Sequence, residues 1–162
     1  MTASYSGKEI PWLPRRIVSG GQTGVDRAAL DVAIALGIEH GGWCPAGRLA
    51  EDGSIPSRYQ LEETESPEYP IRTEQNVIDS DATLILYRQR LKGGTLLTRK
   101  ICDRTFKPYL LVRLDRDSHQ TIRRWLCDQQ PCSLNIAGPR ESTCRGVYQQ
   151  SFEFLMAAFA TP

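Results

Sequence analysis

The chain is poor in the residues that build disulfide frameworks and zinc sites. It has five cysteines and two histidines among 162 residues, without any Cys-x-x-Cys pair, and His40 and His119 stand alone. An odd number of cysteines in a chain without an export signal argues against a disulfide framework. No local spacing matches the ligand set of a tetrahedral zinc site. We therefore expect structural or incidental thiols and no protein-ligated metal.

Long apolar runs are also missing. Among the longest is Ala82 to Tyr87, far below the roughly 20 residues that span a bilayer. The N-terminal residues lack the apolar core of a signal peptide. Because 40% of the residues are hydrophobic and 24% are charged, the composition is that of a globular protein. We expect a cytoplasmic protein without membrane contact, with a loose arm at 1–14 and one domain at 15–162.

Neither sign of charge dominates the chain as a whole. The formal net charge is +1, although residues 1–81 carry 7 Lys/Arg against 13 Asp/Glu and residues 82–162 carry 13 against 6. A nucleic-acid-binding protein more often has a strong overall excess of basic residues or interleaved aromatic residues. We therefore expect most of these charges on solvated helix faces, and no nucleic-acid partner.

Strand and helix patterns alternate from Arg15 onward. Short apolar or β-branched runs predict strands, and apolar positions three or four residues apart predict helices. The strands are predicted at 16–19, 42–44, 82–87, 109–114 and 133–137. The helices are predicted at 25–36, 74–80, 95–105, 118–128 (capped by Asp117 or Ser118) and 146–159, with 46–70 as a long irregular excursion. This alternation predicts a three-layer, Rossmann-like α/β fold with a mostly parallel central sheet.

Three glycine-bearing segments follow predicted strands, where ligands of open α/β sheets lie. Glycines let a ligand approach the backbone, and the N–H groups at a helix start attract anions. The first segment contains Gly20, Gly21, Gln22, Thr23, Gly24, Asp26 and Arg27; the second, Gly93, Gly94 and Thr95; the third, Asn135, Gly138, Pro139, Arg140, Glu141 and Ser142. We expect the three segments to form one site for a phosphate-bearing ligand.

Side chains in and beside these segments are candidate ligand contacts. Arg140 can hold a phosphate bidentately, although it can equally pair with Glu141 or another surface acid. The first segment is neither Gly-x-Gly-x-x-Gly nor a Walker motif, so a tight turn with a helix cap is its alternative. Neither histidine lies in a glycine segment and no serine sits in a nucleophile elbow, which favours binding over catalysis. Further candidates are Arg48, Asp52, Tyr59, Arg72 and Asn76.

At these segments the sequence resembles the bacterial molybdenum-cofactor carrier proteins. The resemblance extends from Arg15 to Phe159. That family belongs to a wider Rossmann-like group, which is also similar to the Lonely Guy phosphoribohydrolases. The stretches that carry it are 19–30, 42–48, 52–53, 72–76, 80–85, 93–98, 107–108 and 135–142.

The resemblance implies a protein that binds, protects and transfers the molybdenum cofactor, a pyranopterin phosphate that carries an oxidised molybdenum centre. A molybdate-like oxyanion is a further implied ligand. Asn76, Asp26 and Asp52 suit the edge of the pterin, while molybdenum enzymes or cofactor-making proteins would be donors or acceptors. A homo-oligomer is also implied, in agreement with the apolar surplus of the last helix at Phe152, Phe154, Leu155 and Phe159.

Two alternatives share the fold and the glycine segments. One is a nucleotide-binding enzyme resembling the phosphoribohydrolases, and the other is a nucleotide-sensing module. The hydrolases carry a Gly-Gly-x-Gly-Thr-x-x-Glu segment whose glutamate serves catalysis. Here Gly93-Gly94-Thr95 is followed by Leu-Leu-Thr-Arg, with no glutamate. This difference disfavours hydrolase activity.

Overall fold

The computed structural model describes residues 12–160. The strands are β1 (Arg16–Val18), β2 (Glu39–Gly41), β3 (Trp43–Cys44), β4 (Leu49–Ala50), β5 (Gly53–Ser54), β6 (Glu62–Glu63), β7 (Ala82–Tyr87), β8 (Tyr109–Arg113) and β9 (Ser133–Ala137). The helices are α1 (Val25–Leu36), α2 (Tyr69–Ile78), α3 (Gly93–Thr105), α4 (His119–Gln129) and α5 (Val147–Phe159).

Five parallel strands form the central sheet, in the order β2-β1-β9-β7-β8. The three strands that precede the glycine-bearing segments, β1, β9 and β7, are neighbours in this order. Because parallel strands end at the same edge of a sheet, their carboxyl ends bring the three segments together. The predicted α/β class and the parallel sheet are confirmed.

Helices cover both faces of the sheet. On one face α5 packs between α1 and α4, and on the other α2 packs against α3. Every second side chain of β7, at Ala82, Leu84 and Leu86, points to the face covered by α1, α4 and α5, as expected of a strand. Leu84 and Leu86 belong to the core beneath α1, α4 and α5, whereas Val77, Ile101 and Cys102 form a smaller cluster between α2 and α3. Within residues 12–160, no helix has the length and apolar character needed to cross a bilayer.

Helix ends follow the local sequence closely. Helix α1 has its predicted bounds and ends at Gly37, which is left-handed with φ 68°, as expected of a glycine C-cap. Ser118 is the N-cap of α4, since its Oγ accepts a hydrogen bond from Gln120 N at 3.2 Å. Asp117, the alternative cap, instead accepts from the backbone N of Arg113 at 2.7 Å.

The predicted bounds of one strand and one helix were wrong. The second strand of the main sheet is 39–41 rather than 42–44, because Gly42 has φ 130° and interrupts the strand. Residues 43–44 pair with β6 in a separate two-stranded sheet. Helix α2 begins at Tyr69, not at 74, because Pro70 occupies the first helical turn, where a missing N–H costs nothing.

The 46–70 excursion is packed against the helices rather than free. Tyr59 is buried, and its hydroxyl donates to Asp31 Oδ1 at 2.7 Å. Arg48 donates to the backbone oxygens of Pro56 and Tyr59, each at 2.8 Å. Burial and the hydrogen bond to Asp31 raise the pKa of Tyr59. Arg48 and Tyr59, predicted to close over a ligand, therefore hold the excursion itself together.

The described end of the predicted N-terminal arm is attached to the sheet region. Trp12 Nε1 donates to the backbone oxygen of Pro131 at 3.0 Å, and the indole packs against the main core. Pro14 is buried as well. The rest of the predicted 1–14 arm, residues 1–11, lies outside the described residues.

Candidate anion-binding site

A cavity of about 860 Å³ lies at the carboxyl edge of the sheet. Its volume is within the usual range of small-molecule sites, about 300–1,000 Å³. All three glycine-bearing segments and helix α2 contribute to its wall. The predicted residues that line it are Gly20, Gln22, Asp26, Arg72, Asn76, Gly93, Gly94, Thr95, Asn135, Gly138, Pro139 and Arg140.

The wall of this cavity is strongly positive. Asp26 is the one carboxylate that lines it among the described residues, against six basic side chains. A concave wall with charges of one sign concentrates the electrostatic potential and attracts counter-ions. The cavity is therefore suited to an anion. Its basic residues are Arg72, Arg88, Arg90, Lys92, Arg140 and Arg145.

Asp26 is already neutralised inside the cavity wall. Its Oδ2 lies 3.0 Å from Arg72 Nη1, and both side chains are almost fully buried. The same oxygen accepts from the backbone N of Gln22 at 3.2 Å. A Cβ atom at Gly20 would overlap the Arg72 guanidinium, so the glycine leaves room for this ion pair. The positive charge of the other basic residues remains available to a ligand.

Two buried donors of the cavity wall lack a hydrogen-bond partner among the described residues. They are Gln22 Nε2 and Arg72 Nε. The oxygen of the same carboxamide, Gln22 Oε1, accepts from the backbone N of Thr23 at 3.1 Å and of Glu51 at 2.9 Å. A buried donor left unsatisfied costs about 1–3 kcal/mol. A ligand that supplies acceptor oxygens would remove this cost.

The start of α3 is open towards the cavity. Its N-cap, Lys92, makes no side-chain capping bond, so the first backbone N–H groups of this 13-residue helix are available to an anion. Cβ atoms built at Gly93 and Gly94 would meet nothing within 4 Å. Glycine is favoured at 93 because the φ of this residue is 55°. The packing of the described residues gives no reason for glycine at 94.

Two other basic side chains of the wall have partners of their own within the protein. Arg88 donates to Gln150 Oε1 and to the backbone oxygen of Arg145, each at 2.6 Å. The Arg140 guanidinium lies 5.5 Å from the centre of the Tyr69 ring, a cation–π distance, and 4.0 Å from a Glu51 oxygen.

Asn76 and Asn135 also serve the fold. Asn76 Oδ1 accepts from the backbone N of Trp43 at 2.7 Å, and its Nδ2 donates to the Trp43 oxygen at 2.9 Å. The Asn135 amide donates to Thr83 Oγ1 at 3.3 Å. Both ends of the Asn76 amide are already hydrogen-bonded to Trp43. Asn76 therefore has fewer free donors and acceptors for the edge of a pterin than its position in the sequence implied.

Six of the predicted residues lie outside the cavity lining. Gly21 faces Leu61 and Ile55. Gly24 has φ 81°, and a Cβ there would overlap the backbone oxygen of Pro139, which accepts from the backbone N of Val25. The first segment is thus shaped largely by its contact with the third, as in the tight-turn alternative. The six are Gly21, Thr23, Gly24, Arg27, Glu141 and Ser142.

Charged residues of these segments join one loop to another. Arg27 binds Asp52 through two hydrogen bonds of 2.5 and 2.7 Å, so Asp52 faces Arg27 rather than the cavity. Glu141 accepts from the backbone N of Gly146 at 2.6 Å and of Tyr148 at 3.0 Å, at the start of α5. Of the acids that could pair with Arg140, Glu141 therefore contacts α5 instead, and Glu51 is the one near the guanidinium, at 4.0 Å.

Glu51 is a residue of this region that sequence reasoning missed. It lies in the turn between β4 and β5, and its carboxylate accepts hydrogen bonds from Thr23 Oγ1 and from the backbone N and hydroxyl of Ser142. Burial opposes its ionisation, but these bonds and the charge of Arg140 lower the pKa of Glu51 below its ordinary value. The acidic turn carried no sequence signal, because its partners lie 28 and 91 residues away.

Four basic wall residues were missed as well. Arg88, Arg90 and Lys92 stand between the end of β7 and the start of α3, and Arg145 precedes α5. A basic run between a strand and a Gly-Gly helix start was the available signal.

No metal centre is formed by side chains in the described range 12–160, where no three His, Cys, Asp or Glu residues come together in a suitable cluster. The five cysteines are free. Cys144 lines the cavity but also packs against the main core. Burial raises the pKa of the Cys44 and Cys102 thiols.

Fold and site together define a Rossmann-like α/β protein with an anion-suited cavity at the carboxyl edge of its sheet. The chain belongs to the circularly permutated YpsA SLOG family, whose sequence model matches residues 17–159. It is also similar to the crystal structure of the "Putative molybdenum carrier protein" from Syntrophus aciditrophicus SB, with 46% sequence identity and a TM-score of 0.90. That similarity covers 94% of this chain and 98% of the other. A search of the curated proteins finds no match. The family resemblance stated from the sequence is confirmed.

Proposed function

We propose that this protein is a carrier that binds the molybdenum cofactor in its positive cavity, shields it from water and oxygen, and transfers it without catalysing a reaction. The observation that carries the proposal is the wall of six basic side chains and one neutralised carboxylate. The 46% identity to a protein named as a molybdenum carrier supports the same ligand.

The chemistry of the wall fits the groups that the cofactor offers. Phosphate, oxo and pterin carbonyl oxygens are acceptors, and the wall presents donors: the basic side chains, the open start of α3, and the buried Gln22 Nε2 and Arg72 Nε. Charge-assisted hydrogen bonds of this kind are about twice as strong as neutral ones. Molybdate, a smaller oxyanion, fits the same donors. The cofactor reaches the protein through its own oxygens, without a protein–metal bond.

The wall gives little support to the phosphoribohydrolase alternative. Hydrolysis of that type needs a carboxylate free to act on the substrate. In residues 12–160, the carboxylate that lines the cavity, Asp26, is held by Arg72. Glu141, the acid next to Arg140 in the third segment, is bonded to the start of α5.

The proposal includes the cellular setting of the carrier. Its donors and acceptors are cofactor-making proteins and molybdenum enzymes in the cytoplasm, where exposed thiols such as Cys127 and Cys132 stay reduced. A homo-oligomer stays a prediction. The apolar residues of α5 that suggested it pack within the chain, since Leu155 and Phe159 are buried and Phe152 and Phe154 lie against the same core.

Protection of the cofactor is the direct test of the proposal. Cofactor incubated with the protein should lose its ability to reconstitute apo-nitrate reductase more slowly than cofactor alone. Arg140→Ala should weaken binding about 10-fold or more, because a hydrogen bond to a charged group contributes about 1.5–3 kcal/mol.

Arg99→Ala is the matched control for that variant. Arg99 is a half-exposed arginine of α3 that pairs with Asp103 and lies outside the cavity lining, so its removal should leave protection unchanged. Equal decay with and without the protein would refute the carrier function. Release of free base from a nucleoside monophosphate would instead support the hydrolase.

A further inference from the structure

The turn between β4 and β5 connects two of the glycine-bearing segments through one side chain. The Glu51 carboxylate accepts from Thr23 Oγ1 in the first segment and from the backbone N of Ser142 in the third, the latter at 3.1 Å. The Ser142 hydroxyl donates to its second oxygen. The Glu51 side chain is 17% exposed, and the turn that carries it lies at the solvent-accessible surface.

The same turn fixes the orientation of the Gln22 side chain. The backbone N–H groups of Thr23 and Glu51 both donate to Gln22 Oε1, at 3.1 and 2.9 Å. The NH₂ end of a carboxamide cannot accept these bonds, so the oxygen must occupy this position. Nε2 is left as a donor. Gln22 is 6% exposed and lines the cavity, and its Nε2 finds no partner in the described part of the chain.

A second free donor belongs to another residue of the same cavity wall. Arg72 Nε is buried and also lacks a partner within residues 12–160. Arg72 Nη1 and the backbone N of Gln22 share one acceptor, Asp26 Oδ2, at 3.0 and 3.2 Å. The carboxylate thus holds both residues at one end of the cavity, and neither free atom can accept a hydrogen bond.

We propose that Gln22 Nε2 and Arg72 Nε form a donor-only subsite for an acceptor oxygen of the bound molecule, and that Glu51 is the residue that positions it. The proposal rests on the carrier function above and deepens it. Oxo oxygens and the pterin carbonyl have the required chemistry, whereas an N–H or C–H group at this place would leave both donors unsatisfied. Glu51 acts through the turn and does not itself touch the ligand.

Removal of the Glu51 carboxylate separates positioning from electrostatics, because the two predict opposite signs. Glu51 is a negative charge beside Arg140, so by charge alone Glu51→Ala should tighten anion binding. If Glu51 instead positions the subsite, Glu51→Ala weakens binding of the molybdenum cofactor about 10-fold or more, the loss of one net hydrogen bond to a charged group. Glu51→Gln keeps most acceptor bonds and should restore affinity to within about threefold of wild type.

Asp52→Asn is the matched control. It removes an equal charge from the same turn, but Asp52 bonds to Arg27 and not to Ser142, so cofactor affinity should stay within about twofold of wild type. Gln22→Glu tests the subsite directly. It is isosteric and retains an oxygen for the Thr23 and Glu51 amides, but replaces the free donor with an acceptor, and binding should fall about 100-fold.

Cofactor binding by titration and unfolding by urea are measured on the same preparations. Wild-type protein that binds neither cofactor nor inorganic molybdate refutes the carrier function. Wild-type protein that binds, together with Glu51→Ala that binds equally or more tightly, refutes the subsite and leaves the carrier intact. If Glu51→Ala is unfolded, Gln22→Glu decides alone, and unchanged binding by that variant overturns the proposal.

Discussion

Glycines at the carboxyl edge of the sheet have two different physical roles. Gly24 and Gly42 have positive φ, and a Cβ at either would overlap a backbone oxygen, so the protein itself requires them. At Gly138 a Cβ would lie 2.5 Å from the Leu86 oxygen. Gly94 differs, because a Cβ there would meet nothing within 4 Å. A glycine that faces open space in a cavity is expected where a ligand approaches the backbone closely.

Gly94→Ala should therefore separate stability from binding. Replacing a helical glycine with alanine raises the free energy of unfolding by about 0.5–1 kcal/mol. The added methyl group would also occupy the space in front of the α3 amides. We expect unchanged or higher urea resistance with cofactor affinity reduced about 10-fold.

Gly24→Ala is the contrasting variant. Gly24 has φ 81° and ψ −128°, a conformation that costs a non-glycine residue about 1–3 kcal/mol, and the methyl group would also overlap Pro139. Its urea midpoint should fall clearly.

For the Gly94→Ala variant, an affinity equal to that of the wild type would show that no ligand reaches the start of α3.

Helix α3 is unusual at both ends. Its N-cap, Lys92, makes no side-chain capping bond, and its C-cap, Phe106, is left-handed with φ 56°. Phe106 is also 94% exposed, so its ring gains little from burial. A left-handed conformation costs a non-glycine residue about 1–2 kcal/mol. The C-terminal end of α3 thus carries a local strain that glycine would relieve.

Phe106→Gly should raise the free energy of unfolding by about 1 kcal/mol. Urea denaturation at constant protein concentration measures the change. Phe106→Ala is the control, because it removes the same exposed ring but keeps a Cβ atom, and it should change stability by less than about 0.5 kcal/mol. Equal effects of both variants would show that the ring, and not the backbone conformation, determines the difference.

Elements with a strong local signal could be predicted from the sequence, and those that depend on distant partners could not. Helix α1 combines regular apolar spacing with Gly37 and has its predicted bounds. Strand β2 is a short edge strand with Glu39 exposed and His40 half-buried, so it lacks an apolar run. Its pairing with β1 alone defines it.

The candidate site shows the same limit. The glycine segments were visible in the sequence because strand, glycine and helix start are neighbours in the chain. Glu51 was not, because it meets Ser142 across 91 residues. Arg48 and Tyr59 were placed near a ligand because they lie in a long irregular excursion. In the structure Arg48 bonds within the excursion, and Tyr59 joins it to Asp31 of α1.

At the scale of the whole molecule, the uneven charge of the two halves has a structural consequence. The basic half, residues 82–162, supplies Arg88, Arg90, Lys92, Arg140 and Arg145 to the cavity, and the acidic half supplies Arg72. The acidic half also supplies two carboxylates that hold the cavity edge, Asp26 and Glu51. The basic excess is therefore partly a property of the cavity and not only of solvated helix faces.

This concentration of charge predicts that capture of an anionic ligand depends on salt. Raising the ionic strength from about 0.01 M to about 0.1 M shortens the Debye length from about 30 Å to about 10 Å, so long-range attraction by the cavity is largely screened. Stopped-flow measurement should show an association rate constant for the cofactor that falls several-fold, with a smaller change in the dissociation rate constant.

The double variant Arg90→Gln/Lys92→Gln should lower the association rate at low salt and flatten its salt dependence, since both side chains are exposed and line the cavity. Arg123→Gln/Arg124→Gln makes the same change of net charge on α4, outside the cavity lining, and should have a much smaller effect because attraction weakens with distance. If the two double variants slow association equally, net charge and not the cavity attracts the ligand. If neither changes the rate, association is limited by a step other than electrostatic encounter, and the positive wall acts only after contact.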